Sequence, residues 1–371
     1  MTNFSKKPLI INVLTSLDFG GVESQIQLIA RNVNLSKFNH AFCAIGAGGS
    51  TQISLKNWGM QADALGCNVK IPSISAIFAL WRYFKKYKPQ VVHLRGAEAN
   101  FHGAIAARLA GVPVVIAEEI GIPNHSAKAR RIFAWAYSYC DCIVAISKAV
   151  KDGVMAMNEA NASQIQVVYN PFSPQKFKPL IQRNSSLSLG FVGRLEPVKN
   201  PMAAVEAIAL LHDKGIKAEL HIVGDGSLRA VLEQRIKELN LFTQVYLHGF
   251  QENPFTLLEK CHFYLQPSLT EGFGLAVCEA MSAGLPVIAT ARGGVPEIIE
   301  HDKTGWLIQE PTAKSLAEMI EFANQYSDEE LQTIAIKGRD EVLQRFGIQQ
   351  YLNQLDDLYI MLLKTKNIAN A

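Results

Sequence analysis

Short apolar runs rich in β-branched residues alternate with longer helical patterns along almost the whole chain. The runs predict strands at Leu9–Thr15, His40–Ile45, Val69–Ile71, Val91–Leu94, Val112–Ala117, Asp141–Ile146, Gln166–Tyr169, Leu187–Val192, Ala218–Val223, Gln244–Leu247, Phe263–Gln266, Pro286–Ala289 and Trp306–Ile308. The patterns between them predict helices at Val22–Asn32, Ser75–Lys86, Asn100–Ala110, Ala127–Ser138, Lys148–Asn158, Met202–His212, Ser227–Leu239, Leu275–Ala283, Lys314–Gln325 and Ile348–Thr365. Because parallel strands must be joined by a crossover, usually a helix, this alternation predicts an α/β fold of parallel sheets with helices on both faces.

A polar, proline-containing stretch interrupts the alternation near the middle of the chain. It begins at Asn170-Pro171 and continues as a linker over Pro179–Ser188. The 371 residues suffice for two domains, since a domain usually holds ~100–200 residues. We predict two Rossmann-like, doubly wound domains that face each other across a cleft, at residues 1–183 and 184–346. The last helix, in residues 347–371, has no strand after it and is a candidate for crossing back to the first domain.

The net charge, the cysteines and the hydropathy pattern exclude several classes of protein. A formal net charge of +3 is too small to argue for nucleic-acid binding, which needs a concentrated basic face. The six cysteines form no C-x-x-C pair, which predicts a reducing compartment. No apolar run approaches the ~20 residues of a membrane span or forms a signal-peptide core. We expect a cytoplasmic protein, at most peripheral on the inner face of the cytoplasmic membrane.

Two segments combine basic and aromatic side chains. Residues 81–89 hold four of each kind, and residues 128–139 hold three basic residues followed by four aromatic ones. Such segments can rest on an anionic membrane surface. Alternatively, they are ordinary amphipathic helices whose aromatic residues face the core. The sequence leaves both interpretations open.

The loop after the predicted strand Phe263–Gln266 is the richest in candidate chemistry. Gly272 and Gly274 would let the backbone approach a ligand closely. A helix is predicted to begin near Gly274, and the N–H groups and positive dipole end of its first turn suit a phosphate. Glu271 and Glu279 stand before and inside this helix, where they could accept hydrogen bonds from sugar hydroxyls. The alternative is that Glu271 only caps the helix and Glu279 faces solvent.

Other strand-to-helix loops add cations and glycines. Arg194 and Lys199 follow the strand Leu187–Val192 and could neutralise a diphosphate, Arg through bidentate bonds and Lys as a point charge. Three glycine-containing loops could let a ligand approach the backbone, and they hold Gly20-Gly21, Gly224 and Gly293-Gly294. Taken singly, each of these loops could also be an ordinary surface turn.

Four motifs of the C-terminal half, and the order in which they occur, are similar to those of a known protein family. They are Gly190–Leu195 with Lys199-Asn200, Val223–Gly226, Thr270–Leu275 with Glu279–Gly284, and Gly293–Glu297. This half resembles the family 4 retaining glycosyltransferases, which share the GT-B fold. The spacing of Glu271 and Glu279 is similar to that of the paired glutamates of this family. The match covers residues 187–310, whereas the N-terminal half matches only through Gly20-Gly21 and Asn170-Pro171.

The resemblance implies an enzyme, a hexosyltransferase that uses a UDP- or GDP-linked sugar as donor, with no metal and no cofactor. Arg194, Lys199 and Glu271 would be its catalytic residues. The donor would bind to Gly20, Gly21, Gly193, Gly224, Gly272, Phe273, Gly274, Leu275 and Glu279. The N-terminal domain would bind the acceptor, a glycan or a lipid-linked saccharide of cell-surface polysaccharide or lipopolysaccharide synthesis. No Asp-x-Asp metal motif occurs in the sequence.

One departure from the family pattern concerns the acceptor side. Many members carry a His after the strand equivalent to Val112–Ala117, near the reacting sugar. This chain has Glu118 and Glu119 there, and His125 in the following loop. We treat these three residues, with Arg95, as candidates for the acceptor side, because a carboxylate can accept the proton of an acceptor hydroxyl.

Two other functions fit the same motifs. A GT-B epimerase would convert the nucleotide sugar without any acceptor, and a non-catalytic partner of another transferase would bind it without turnover. A dehydrogenase fits less well, because Gly20-Gly21 lacks the spaced glycines of a dinucleotide-binding loop.

Overall fold

The structure is a computed structural model that describes residues 7–177, 183 and 186–367. The chain divides into two units. The N-terminal unit contains the chain up to Pro171 together with the residues from Ile348 onward, and the C-terminal unit contains Phe172–Gly347. Most of the predicted linker, residues 179–182, 184 and 185, lies outside the described residues.

The N-terminal unit is built on a parallel sheet of seven strands in the order β3-β2-β1-β4-β5-β6-β7. The strands are β1 Leu9–Leu14, β2 Asn39–Ala44, β3 Ala62–Ala64, β4 Val91–Arg95, β5 Val114–Glu119, β6 Cys142–Ala145 and β7 Ile165–Val167. Helices cover both faces, so the central strands are buried along nearly their whole length, as their continuous apolar runs predict. The order reverses between β1 and β4, where such sheets bind ligands at the carboxyl ends of the strands.

The helices of this unit are α1 Gly21–Arg31, α2 Ser50–Asn57, α3 Ile74–Tyr87, α4 Ala97–Ala110, α5 Ala127–Tyr137 and α6 Lys148–Ala156. Side chains of serine cap three of them. Ser73, Ser126 and Ser147 accept hydrogen bonds from the third backbone N–H of α3, α5 and α6, respectively. These bonds satisfy N–H groups that have no partner within the helix, and they fix where each helix begins.

The C-terminal unit has a parallel sheet of six strands in the order β10-β9-β8-β11-β12-β13. Its strands are β8 Leu187–Val192, β9 Ala218–Val223, β10 Val245–Leu247, β11 Phe263–Gln266, β12 Val287–Thr290 and β13 Trp306–Ile308. Its helices are α7 Pro201–Asp213, α8 Arg229–Glu238, α9 Leu275–Ala283, α10 Ala313–Ala323 and α11 Asp328–Arg345. Here the order reverses between β8 and β11, so the ligand crevice of this fold class falls at the loops that follow these two strands.

The last helix, α12 Ile348–Thr365, packs in the core of the N-terminal unit. Tyr351, Leu355, Tyr359 and Leu363 are buried along one of its faces, in a cluster with residues of β1, β2, β4 and β5. Residues 348–367 therefore continue the fold of the first half of the chain. Among the described residues, no helix combines the length and the apolar character that a membrane crossing needs.

The fold class is confirmed, because each unit is a doubly wound parallel sheet. One strand prediction is wrong. The third strand is Ala62–Ala64, whereas Val69–Ile71 forms no strand. The side chain of Asn68 accepts a hydrogen bond from the backbone N–H of Lys70, which turns the chain, and Pro72 follows without an N–H group to donate to a sheet. Helices α2 and α11 were not predicted.

Candidate active site

Four loops at the carboxyl ends of the C-terminal sheet are held together backbone to backbone. They are the β8 loop, residues 193–200, the β9 loop, residues 224–228, the β11 loop, residues 267–274, and the β12 loop, residues 291–297. A Cβ atom on Gly224 would lie 1.9 Å from the carbonyl oxygen of Gly193, and a Cβ on Gly226 would lie 2.6 Å from that of Leu195. The β8 and β9 loops can touch in this way only because positions 224 and 226 are both glycine.

Close backbone contact at glycine also joins the β11 and β12 loops. The N–H of Gly294 donates to the carbonyl oxygen of Glu271 over 3.0 Å. A Cβ on Gly293 would lie 1.7 Å from that same oxygen, and Gly293 has a left-handed backbone with φ of 58°. The glycine pair therefore sets the position of the backbone that carries Glu271.

This contact leads to a first prediction. Gly293→Ala should lower the free energy of unfolding by clearly more than Gly215→Ala, in urea denaturation of the two variants. Gly215 also has a left-handed backbone, with φ of 77°, but no heavy atom lies within 4 Å of its added Cβ, so this control reports only the conformational cost of ~1–2 kcal/mol. Equal losses in the two variants would contradict the close approach of the two loops.

Lys199 and Glu271 form an ion pair between the β8 and β11 loops. Lys199 Nζ donates to Glu271 Oε1 over 2.7 Å. Glu271 is buried, with 8% of its surface exposed, and Lys199 ends a short 3-10 turn, Pro197–Lys199. The side chain of Asn200, the residue after this turn, donates to the carbonyl oxygens of Pro267 and Pro311. Two contacts therefore hold Lys199 against the β11 loop: the ion pair of its own ammonium group and the hydrogen bond from Asn200 to Pro267.

Arg194 differs from Lys199 in its surroundings. Its side chain is exposed and makes no hydrogen bond or ion pair with the described residues. It follows β8, the strand at which the sheet order reverses. A guanidinium in this position keeps all of its donors for an incoming anion.

The β11 loop leads directly into α9, whose N-cap is Gly274 with φ of 119°. An ordinary side chain would be strained in this left-handed conformation. The first N–H groups of a helix have no partner within it, so they and the helix dipole make this end of α9 attractive to an anion. Phe273 is 2% exposed and packs its ring on Phe346, so it can offer a ligand only its backbone.

Glu279 lies in the second turn of α9 and is half-buried. Burial raises the pKa of its carboxyl group to about 7, since no cation among the described residues pairs with it. A ligand that donates hydrogen bonds, for example from hydroxyl groups, would stabilise this carboxyl group. Among the described residues, no cluster of three or more His, Cys, Asp or Glu side chains could hold a metal ion.

In the N-terminal unit, the glycines after β1 open α1. Gly20 is the N-cap of this helix and Gly21 its first residue. Glu23, which the sequence patterns did not single out, accepts a hydrogen bond from Ser16 over 2.9 Å, and a Cβ on Gly20 would come within 2.4 Å of its carboxylate. The loop thus folds over a carboxylate in the first turn, whereas a Cβ on Gly21 would meet no heavy atom within 4 Å.

Two of the four acceptor-side candidates form a buried ion pair. Arg95 Nη1 donates to both oxygens of Glu118 over 2.7 and 2.6 Å, and their side chains are 0% and 1% exposed. Burial alone would raise the pKa of Glu118, but the guanidinium holds it below its usual value. Arg95 also donates to the Tyr351 hydroxyl over 3.1 Å, so the pair fastens α12 to the sheet.

Glu119 and His125 have other partners. Glu119 is 6% exposed and accepts hydrogen bonds from Tyr137 and Asn100, and burial raises its pKa to about 7. His125 stacks on Phe133 with ring centroids 4.4 Å apart. Its Nδ1 lies 2.6 Å from Glu159, and its side chain is 21% exposed. Of the four candidates, His125 presents the most surface to an acceptor.

The structure thus brings Arg194, Lys199, Glu271 and Glu279 onto neighbouring loops and the helix of one sheet edge, and it places Arg95 and Glu118 in a protein core. It also adds two residues that sequence patterns did not reveal, Gln266 and Ser268, both 1% exposed beneath Glu271. The signal for them was a polar residue at the end of an otherwise apolar strand, Phe263–Gln266.

Comparison with known proteins gives a consistent result for both halves of the chain. The model of Glycosyl transferases group 1 matches residues 172–339, and that of Glycosyltransferase Family 4 matches residues 19–176.

Two relatives match over most of their length. An Escherichia coli UDP-Gal:alpha-D-GlcNAc-diphosphoundecaprenol alpha-1,3-galactosyltransferase is 27% identical over 80% of this chain and 81% of its own. The amylovoran biosynthesis glycosyltransferase AmsK of Erwinia amylovora is 27% identical over 73% of this chain and 70% of its own.

Solved structures share the fold. Anabaena Alr3699/HepE, in complex with UDP and glucose, has a TM-score of 0.81 at 20% identity and covers 95% of this chain and 100% of its own. The lipopolysaccharide outer core galactosyltransferase WaaB has a TM-score of 0.73 at 21% identity over 95% of this chain and 99% of its own.

Proposed function

This chain belongs to the glycosyltransferases, with a family 4 domain followed by a group 1 domain, and we propose that it is a retaining, metal-independent enzyme. It moves a hexose or an N-acetylhexosamine from a nucleotide diphosphate sugar to a glycan or a lipid-linked saccharide. The main support for this proposal is the arrangement of three features of the C-terminal unit. The free cation of Arg194, the Lys199–Glu271 pair and the first turn of α9 all lie where the order of the C-terminal sheet reverses.

The charges of this site suit the departure of a nucleoside diphosphate. Breaking the bond between the sugar and the diphosphate leaves negative charge on the leaving group. Arg194, Lys199 and the N–H groups at the start of α9 would stabilise that charge as it develops, which is the usual largest contribution to such catalysis. Two fixed cations would do the work that a metal ion does in other transferases. Glu279 would accept hydrogen bonds from the ribose, and Glu271 from the donor sugar.

The names of the relatives support the acceptor and the pathway. The Escherichia coli relative transfers galactose to a saccharide on diphosphoundecaprenol, and the Erwinia relative takes part in amylovoran biosynthesis. The solved neighbour from Anabaena binds UDP and glucose. We place this chain in the synthesis of a cell-surface polysaccharide or lipopolysaccharide, with the donor in the C-terminal unit and the acceptor in the N-terminal unit. These relatives favour transfer over the epimerase and the non-catalytic partner.

We also propose a peripheral contact between the N-terminal unit and the inner face of the cytoplasmic membrane. Four of the eight aromatic residues of the two basic segments are buried, as an amphipathic helix predicts. Phe78 on α3 and Trp135 on α5 are 54% and 49% exposed. Basic side chains share their helix faces, with Arg82 one turn after Phe78 and Arg131 one turn before Trp135. This combination suits an anionic lipid surface.

Vesicles test this contact. The protein should sediment with vesicles that contain phosphatidylglycerol and not with pure phosphatidylcholine vesicles. Lys85→Glu with Lys86→Glu, at exposed sites of α3, should weaken the affinity for these vesicles by about tenfold or more, because each basic residue near such a surface contributes ~1 kcal/mol. Lys237→Glu with Lys260→Glu, on exposed sites of the C-terminal unit, makes the same change of net charge and should have no effect. Equal effects of the two pairs would contradict the assignment of the surface.

The proposed reaction is tested by product analysis in a chelator. UDP-glucose, UDP-galactose, UDP-N-acetylglucosamine and GDP-mannose are offered with a lipid-diphosphate-linked saccharide, and the new linkage is read by proton NMR. We expect one donor to be consumed and its anomeric configuration to be kept. An inverted linkage would overturn retention, a loss of turnover in chelator would overturn metal independence, and conversion of the donor without acceptor would favour the epimerase.

A further inference from the structure

A line of hydrogen-bonded side chains runs beneath the β11 loop and ends on Glu271. Tyr264, Gln266 and Ser268 alternate along β11 and its continuation, and all three are at most 1% exposed. The Tyr264 hydroxyl donates to Gln266 Oε1 over 2.6 Å. Gln266 Nε2 donates to Ser268 Oγ over 2.7 Å and to Glu271 Oε1 over 3.0 Å. Ser268 Oγ then donates to Glu271 Oε1 over 2.8 Å.

The direction of each bond in this line is determined by its two ends. The Glu271 carboxylate can only accept, and the Tyr264 phenol can donate. The amide of Gln266 must therefore turn its NH₂ group to Ser268 and Glu271 and its oxygen to Tyr264. That oxygen is nearer to the phenol than the carbonyl oxygen of Val192, which lies 3.1 Å away. Ser268 has one proton, and because it accepts from Gln266 it gives that proton to Glu271.

The two oxygens of Glu271 have different surroundings as a result. Oε1 accepts three hydrogen bonds, from Lys199, Gln266 and Ser268. Oε2 accepts no hydrogen bond from the described residues and is not enclosed by them. A carboxylate with one oxygen saturated by the protein and the other open to a ligand has only one orientation in which all of its partners are satisfied.

We propose that Tyr264, Gln266 and Ser268 form a positioning relay that commits Glu271 Oε1 to the protein and presents Oε2 to a hydroxyl group of the donor sugar. The inference rests on the proposed function, because it takes Glu271 as the residue that meets this sugar. The relay residues touch no substrate themselves. They make the site selective for a sugar that offers a hydroxyl donor at Oε2.

Such a relay has a signature that a purely structural role lacks. It should matter for the sugar and not for the nucleotide, since only the sugar meets Oε2. The quantity to measure is the dissociation constant of the nucleotide sugar divided by that of the bare nucleoside diphosphate. Calorimetry of the full chain with UDP-glucose, UDP-galactose, UDP-N-acetylglucosamine and GDP-mannose, beside UDP and GDP, gives this ratio for each variant.

Ser268→Thr and Ser268→Val form a matched pair for this experiment. Both add about the same volume at a buried site, but only Thr keeps the hydroxyl group. We expect Ser268→Val to raise the ratio by about tenfold, the effect of one lost hydrogen bond to a charged group, and Ser268→Thr to leave it within about twofold. Tyr264→Phe removes only the hydroxyl at the far end of the relay, so it should raise the ratio in the same direction if the Ser268 variants do not fold.

The outcomes separate the two proposals. If the wild-type protein binds none of the nucleotide sugars, the proposed function fails and the relay fails with it. If the wild-type protein binds one of them but Ser268→Val and Tyr264→Phe leave the ratio at its wild-type value, the relay is wrong while the donor site stands. Equal weakening of the nucleotide sugar and the bare nucleotide would also overturn the relay, because it would show a general disturbance of the loop.

Discussion

Replacing Lys199 by Ala should lower kcat/KM for the nucleotide sugar by about 100-fold or more, the usual effect of removing one group that stabilises charge in the transition state. The ammonium group of Lys199 lies 2.7 Å from Glu271 at the point where we place the diphosphate. Its loss removes one of the two fixed cations of the site. Steady-state kinetics with the preferred donor measures the effect.

The control for this variant is Lys303→Ala in the same unit. Lys303 pairs with Glu300 on the surface, where its side chain is 67% exposed, and surface pairs of this kind contribute little to stability. We expect this variant to keep the wild-type kinetics. Turnover by Lys199→Ala within about threefold of the wild-type rate, a change of less than ~1 kcal/mol in the barrier, would remove Lys199 from the catalytic residues.

The second large effect is on stability. Arg95→Met should lower the free energy of unfolding by ~3–5 kcal/mol, because it leaves the buried carboxylate of Glu118 without its counter-charge. It also takes a donor from Tyr351 and so loosens α12. Urea denaturation followed by tryptophan fluorescence reports mainly on the N-terminal unit, which holds Trp58, Trp81 and Trp135, three of the four tryptophans.

A double variant tests the cause of this loss. Arg95→Met combined with Glu118→Gln removes the unpaired charge, so it should be more stable than Arg95→Met alone. Arg82→Met, at an exposed arginine on α3, should change the free energy of unfolding by less than ~0.5 kcal/mol. A loss of less than ~1 kcal/mol in Arg95→Met would contradict a buried, energetically coupled pair.

The sequence predicted the architecture because the alternation of apolar runs and helical patterns is a local signal repeated through the whole chain. The errors have local causes too. Helix α11 is highly charged and only weakly amphipathic, although the capping box formed by Ser327 and Glu330 marks its start and could have revealed it. Helix α2 is short and begins after Gly49 without a side-chain cap.

The candidate site was predictable only in part. In a parallel sheet, the loops that follow the carboxyl ends of the strands all lie at one edge. The sequence pattern alone therefore assigns Arg194, Lys199 and Glu271 to one sheet edge. It does not reveal the pairing of Arg95 with Glu118, because the two residues become register partners on β4 and β5 only once the strands are aligned. The same holds for Gln266 and Ser268, whose importance depends on which atoms they meet beneath Glu271.

The proposed function requires a donor site in the C-terminal unit that binds a nucleoside diphosphate through protein cations alone. Calorimetric titration of the purified protein with UDP, GDP and ADP in chelator, beside Arg194→Ala, tests this most directly, because the Arg194 side chain makes no hydrogen bond or ion pair with another described residue. We predict that one nucleotide binds with the same affinity with and without chelator, and that Arg194→Ala weakens it by about tenfold or more. Binding that disappears in chelator, binding that ignores Arg194, or no binding of any of the three would contradict the account.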